Sequence, residues 1–171
     1  MTGSTLGGRA RPFWIALVIL AALSVAEPMI GAAGAQPNPS PPAPPPPGVA
    51  APPEVVQQLQ AALDEANRRF QARDAGGVLS HVSDQYRTGP FTKAALREQL
   101  NVLYSVYDAV RAQVRIDEVR IVGPHAWVYS TGEISGRLAV VNRWVSFLSW
   151  QRELEVARLE NGAWRLYGYQ Q

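Results

Sequence analysis

The chain has 171 residues, 14 prolines, no cysteine and a formal net charge of +2. Without cysteine there is no disulfide framework, no lipobox thiol and no thiolate zinc site. A charge this close to zero argues against nucleic-acid binding, which needs a basic surface.

Ten of the 14 prolines fall between Pro37 and Pro53, so the composition averages over unlike segments. The first segment opens with Arg9 and Arg11. A 14-residue apolar run from Phe13 to Ala26 follows, and Glu27-Pro28 ends it. A membrane-spanning helix needs roughly 20 apolar residues. Ala33-Gly34-Ala35 supplies the small residues of a cleavage site before Gln36. The pattern is that of a secretory signal peptide over residues 1–35. Cleavage after Ser24-Val25-Ala26 and retention as an anchor over 13–26 are the alternatives. The arginines are not adjacent, so a twin-arginine signal is not supported.

Residues 36–53 form an 18-residue proline-rich stretch with almost nothing to bury. Such a run favours a polyproline II rod, with a reach on the order of 50 Å. It reads as a spacer, with a PxxP ligand for a partner as the sharper alternative.

Residues 54–171 hold all the periodic pattern. They carry 14 basic and 13 acidic residues, for a net charge of +1, and 13 aromatics. Val55, Val56, Leu59, Ala62, Leu63, Ala66 and Phe70 recur at helical spacing, with Pro52-Pro53 where a helix start tolerates proline. This helix is expected to end near residues 74–77, with Gly76-Gly77 as the break. A second, shorter helix carries Val78, Leu79, Val82 and Tyr86, and Gly89-Pro90 stops it. Thr92 caps a third helix whose stripe is Ala95, Leu96, Leu100, Leu103, Tyr104 and Tyr107.

From about Val110 the period becomes two. One strand runs to a turn at Gly123-Pro124. A second covers 126–135, with Gly136 at the hairpin. A long run over 138–159, bent if a bulge intervenes, leads to the turn Glu160-Asn161-Gly162. Asn-Gly accepts positive φ. A last strand covers 163–169. Helices first and an antiparallel meander second make an α+β domain, with helices covering the concave face of a curved sheet. The space between them is the natural ligand site.

Three stretches carry a resemblance over essentially all of residues 54–171. They are Phe70-Gln71-Ala72-Arg73-Asp74-Ala75-Gly76-Gly77, Leu79-Ser80-His81-Val82-Ser83-Asp84-Gln85-Tyr86, and the ending Arg158-Leu159-Glu160-Asn161-Gly162-Ala163-Trp164-Arg165-Leu166. In element order and in these stretches the chain resembles the nuclear transport factor 2-like superfamily, the cystatin-like cone. That superfamily includes ketosteroid isomerases, polyketide cyclases, dehydratases and binding or assembly modules. The resemblance implies the fold and homodimerisation through the sheet, and specifies no activity. In isomerase-like members a Tyr near the end of the first helix donates to an oxyanion; here the place resembles Phe70. Their general-base Asp precedes a proline; here Gly89 precedes Pro90. Their protonated Asp on a late strand resembles Arg152. Chemistry of that type is therefore not expected.

His81 and Asp84 are three residues apart, so on a helix their side chains could meet. They read as a helix-surface or capping contact, with a catalytic base pair as the alternative. Trp144, Ser146, Leu148, Trp150, Arg152, Leu154 and Val156 share one strand face if no bulge intervenes. Arg152 among them would hold a ligand carboxylate by its planar fork, or pair with Glu133 or Glu118. Trp127, Tyr129, Trp144 and Trp150, with Tyr86 from the second helix, are the candidate lining of an apolar pocket. Glu153 and Glu155 are expected on the opposite face, toward solvent or a partner subunit. Two histidines and no cysteine point to no metal site and no cofactor.

The function expected is a secreted or periplasmic, non-catalytic binding domain for a small apolar or carboxylate ligand. One alternative is a lyase or isomerase using His81 and Asp84. Another is an envelope or secretion-system assembly module anchored by residues 13–26.

Overall fold

A computed structural model describes residues 47–169. The signal segment 1–35 and most of the 36–53 stretch lie outside the described residues. The last part of that stretch belongs to the fold. Strand β1 (Val49–Ala50) pairs with the far end of β4, and Ala51 N–H donates to the Val119 carbonyl at 3.0 Å. The folded unit therefore begins a few residues before the expected 54.

Helix α1 (Pro53–Gln71) places proline at its first turn, where the missing N–H costs nothing. It buries Leu59, Leu63 and Phe70. Its end differs from expectation. Arg73 adopts φ 58°, and the Asp74 carboxylate accepts the Gly77 N–H at 2.8 Å. Asp74 thus caps a new helix, α2 (Ala75–Ser80), and Gly76-Gly77 form its first turn rather than a break. Gly77 is required there, because a Cβ would collide with the Asp74 carboxylate and sit 2.7 Å from Arg69 Cδ.

Strands β2 (Arg87–Thr88) and β3 (Phe91–Thr92) make a small hairpin before α3 (Lys93–Val106). Thr92 caps α3 as expected, its Oγ1 accepting from Ala95 N–H at 3.3 Å. α3 buries Leu96, Leu100, Leu103 and Tyr104.

The long strands are β4 (Ala109–Val122), β5 (His125–Leu138), β6 (Arg143–Glu160) and β7 (Ala163–Leu166). With β1 they form an antiparallel sheet in the order β1-β4-β5-β6-β7. Asn161 and Gly162 make the final turn at φ 51° and 80°, the positive values that Asn-Gly accepts. The β5–β6 hairpin lies at 139–142, beyond Gly136. Gly136 is an internal strand residue over which the Tyr107 ring packs. A glycine in a strand marks close approach as readily as a turn.

Strand β6 carries two register shifts against β5, one between Ile134 and Ser135 and one between Ser130 and Gly132. At the second, Arg152 sits at φ 48° and its N–H bonds Thr131 Oγ1 at 3.0 Å. One extra residue there reverses the facing of everything after it.

Two apolar clusters fill the space under the sheet. One joins Phe70, α2 and α3 to Ile134, Leu148 and Trp150. The other joins Leu59 to Val119, Ala126, Val128 and Ala157.

Candidate functional site

Between α1 and the concave face of the sheet lies a cavity of about 130 Å³. Both clusters contribute to its wall. Leu59, Leu63 and Phe70 come from α1, Val128 and Ile134 from β5, and Trp150 and Ala157 from β6. The cavity is thus a place where the two cores fail to close on each other.

Four polar residues join this lining: Asn67, His81, Glu155 and Arg165. Glu155 is 5% exposed. It was expected on the solvent face; the bulge at Arg152 turns it inward instead. Its charge and the burial around it raise the Tyr86 hydroxyl to a pKa of about 12, burial being the larger cause. Tyr169 is pushed up in the same way.

His81 is the C-cap of α2, not a residue within it. Burial is the main force lowering its pKa; the Glu65 charge opposes it, and Arg165 and Arg69 add smaller pushes in the lowering direction. The ring is neutral at neutral pH. Asp84 lies beyond the helix, its side chain 86% exposed and bonded to Lys93 Nζ at 2.7 Å. The structure does not bring His81 and Asp84 together as a pair.

Of the candidate ligand residues, Trp150 lines the cavity, and its indole N–H donates to buried Ser130 Oγ at 3.1 Å. Trp127, Tyr129, Trp144 and Arg152 do not line it, and Tyr86 is buried in the adjoining core. The Trp144 ring lies under the Arg111 guanidinium at 3.9 Å. Arg152 stands 5.1 Å from the centre of the Tyr129 ring and pairs with Glu118. The internal pairing foreseen for Arg152 is therefore the one formed, and the shared face with Trp150 is not.

Arg165 carried no signal in the sequence beyond its place in the last strand. Its Nε is buried and has no hydrogen-bond partner. Among the described residues, no group of three or more His, Asp or Glu is placed to hold a metal ion. Nor is any described helix long and apolar enough to cross a membrane.

No family model and no curated protein matches the sequence. Solved structures do match. A ketosteroid isomerase-like protein from Erwinia carotovora atroseptica is 19% identical at TM-score 0.52, over 68% of this chain and 93% of that one. A putative scytalone dehydratase from Novosphingobium aromaticivorans is 8% identical at TM-score 0.56, over 67% and 80%. A protein of unknown function with a cystatin-like fold from Nostoc punctiforme is 14% identical at TM-score 0.51, over 70% and 91%. The chain has the nuclear transport factor 2-like fold. At these identities the likeness is one of architecture, and the cavity of this cone must be read from its own residues.

Three positions bear on the isomerase comparison, two of them in the cavity lining. Phe70 lines the cavity without a donor, and Gly89 offers no carboxylate. On the late strand the comparison changes, because the cavity-facing residue is the acid Glu155 rather than Arg152.

Proposed function

We propose that this domain is a binding module that takes a small apolar ligand into the cavity beneath α1. The cavity itself carries the reading, since about 130 Å³ of space is walled mainly by aliphatic and aromatic side chains. An apolar void of about 150 Å³ stays dry and accepts a benzene ring. The occupant is then a single ring or a short branched chain. The signal-peptide pattern of residues 1–35 supports a secreted or periplasmic location, and the resemblance supports pairing of two copies through the sheet. Native mass spectrometry of protein from the cell envelope addresses both, with a mature chain starting at Gln36 and a dimer mass as the expected results. A start at Met1 would favour the anchored assembly module.

Titration of the full chain with toluene tests the binding reading. The indole N–H resonance of Trp150 is expected to shift while those of Trp127 and Trp144 stay in place. No shift at Trp150 up to saturating toluene would overturn it.

A second reading is favoured by one observation, the neutral His81 on the same cavity as Glu155. A neutral imidazole in an apolar site can accept a proton from bound substrate. Dehydratase and isomerase-like names among the similar structures are consistent with this. Accelerated deuterium exchange at the α-carbon of a small cyclic ketone, lost in His81→Gln, would support it. Absence of exchange in the wild-type chain would remove it.

A further inference from the structure

Arg165 lines the cavity, and its Nε–H is buried and unpartnered. Buried polar groups are almost always hydrogen-bonded, and a charged donor left unpaired is the costliest exception. The carboxylates in its field do not supply the missing acceptor to that nitrogen. Glu160 accepts from Ser83 Oγ at 2.7 Å and from Arg158, the residue paired with Arg165 across β6 and β7. Asp84 is held by Lys93 at 2.7 Å. The neighbouring His81 is a neutral ring with one acceptor nitrogen, but that nitrogen does not pair with Arg165 Nε either.

The lining also holds a buried acid. Glu155 lines it too, and its charge acts on Tyr86 and Tyr169, whereas that of Arg165 acts on His81, Asp84 and Glu160. Arg165 and Glu155 both belong to the lining, the rest of which is mainly apolar. An anionic group entering this site is favoured beside Arg165 and disfavoured beside the acid Glu155.

We propose that the ligand is a small carboxylic acid of about the size of benzoate, its ring among Phe70 and Trp150 and its carboxylate accepting from Arg165 Nε–H. This rests on the cavity being the binding site. The guanidinium presents a fixed planar array of donors suited to a carboxylate. The carboxylate-clamping arginine expected from the sequence is thereby moved from Arg152, which is committed to Glu118 on the outer face, to Arg165.

Three probes that share one ring and differ in its polar group separate this from the general binding reading: toluene, benzyl alcohol and sodium benzoate, titrated into the full chain by calorimetry. Benzoate is expected to bind at least tenfold more tightly than benzyl alcohol in the wild type. In Arg165→Gln the benzoate advantage should vanish while toluene affinity stays within twofold, and Arg152→Gln should leave all three unchanged. Toluene binding with benzoate no tighter than benzyl alcohol overturns the anion proposal and leaves the apolar cavity standing. Failure of all three probes overturns both. The wild-type comparison decides the matter even if Arg165→Gln does not fold.

Discussion

The two faces of the long sheet are built from the same strands and have opposite character. The concave face carries Val128, Ile134, Trp150 and Ala157 against α1, with Glu155 as its buried acid. The outer face is laced with arginine contacts: Arg111 over Trp144, Arg115 with Asp117, and Arg152 with Glu118 beside Tyr129. A single extra residue in β6 decides which face Glu155 joins. Alternation has a period of two, so one bulge exchanges in and out for the rest of the strand.

The two tryptophans of β6 give the largest test of this contrast. Trp150 is buried in the core and lines the cavity, whereas Trp144 is half-buried under an arginine. Trp150→Ala is expected to cost about 3–5 kcal/mol by urea unfolding, the range for a large aromatic removed from a core. Trp144→Ala gives up mainly an exposed cation–π contact, about 0.5–1 kcal/mol. Equal losses would mean that the two faces are not distinct.

Gly132 supplies a smaller effect on the same boundary. A Cβ at Gly132 would fall 2.5 Å from the Trp150 ring and 2.8 Å from the Gln113 carbonyl. The backbone oxygen cannot yield, so Gly132→Ala should destabilise by about 1–3 kcal/mol, the cost of overpacking. Its unfolding midpoint should fall accordingly, and a neutral result would place Trp150 elsewhere.

Most of the fold is legible because periodicity survives in it. The stripe of Leu59, Leu63 and Phe70, the Thr92 cap and the Asn161-Gly162 turn each announce their element by local chemistry. Two glycines mislead for one reason. Gly77 and Gly136 read as breaks, yet each is small because Asp74 or Tyr107 occupies the space a Cβ would need. The site was less legible. Facing in β6 depends on a bulge whose only local trace is an arginine in left-handed backbone opposite Thr131 and Gly132. Strict alternation puts Trp150 and Arg152 on one face and Glu155 on the other, whereas the bulge leaves Arg152 outside and brings Glu155 in beside Trp150. Arg165 had no trace at all, since an orphaned buried donor is a property of three-dimensional neighbours.

Arg152 itself should be nearly silent. Arg152→Gly relieves a left-handed residue, worth about 1–2 kcal/mol, and adds unfolded-state entropy, about 0.5–1 kcal/mol against it. It also loses a largely exposed ion pair, worth about 0–1 kcal/mol. The terms nearly cancel, and the unfolding free energy should stay within about 1 kcal/mol of wild type. A larger loss would show that the outer ladder holds the bulge in place.

The smallest effect is a pH dependence that separates the faces. His81, at the cavity, has its folded pKa held below the ordinary 6.5 by burial and by Arg165 and Arg69. Above that value the ring is neutral in both states, and its contribution to stability is fully present. As pH falls below 6.5 the unfolded chain takes up a proton that the folded chain refuses, and stability declines. The outer-face carboxylates act in a lower window. Glu118 and Asp117, lowered from 4.5 and 3.8 chiefly by hydrogen bonds to Arg120 and Thr131, give stability that is lost only as pH drops through those values and below. Urea midpoints at about pH 7, 6 and 5 should therefore fall in the wild type and stay flatter in His81→Gln. Parallel curves across the whole range would mean that the imidazole is solvated, and the cavity would lose its neutral base.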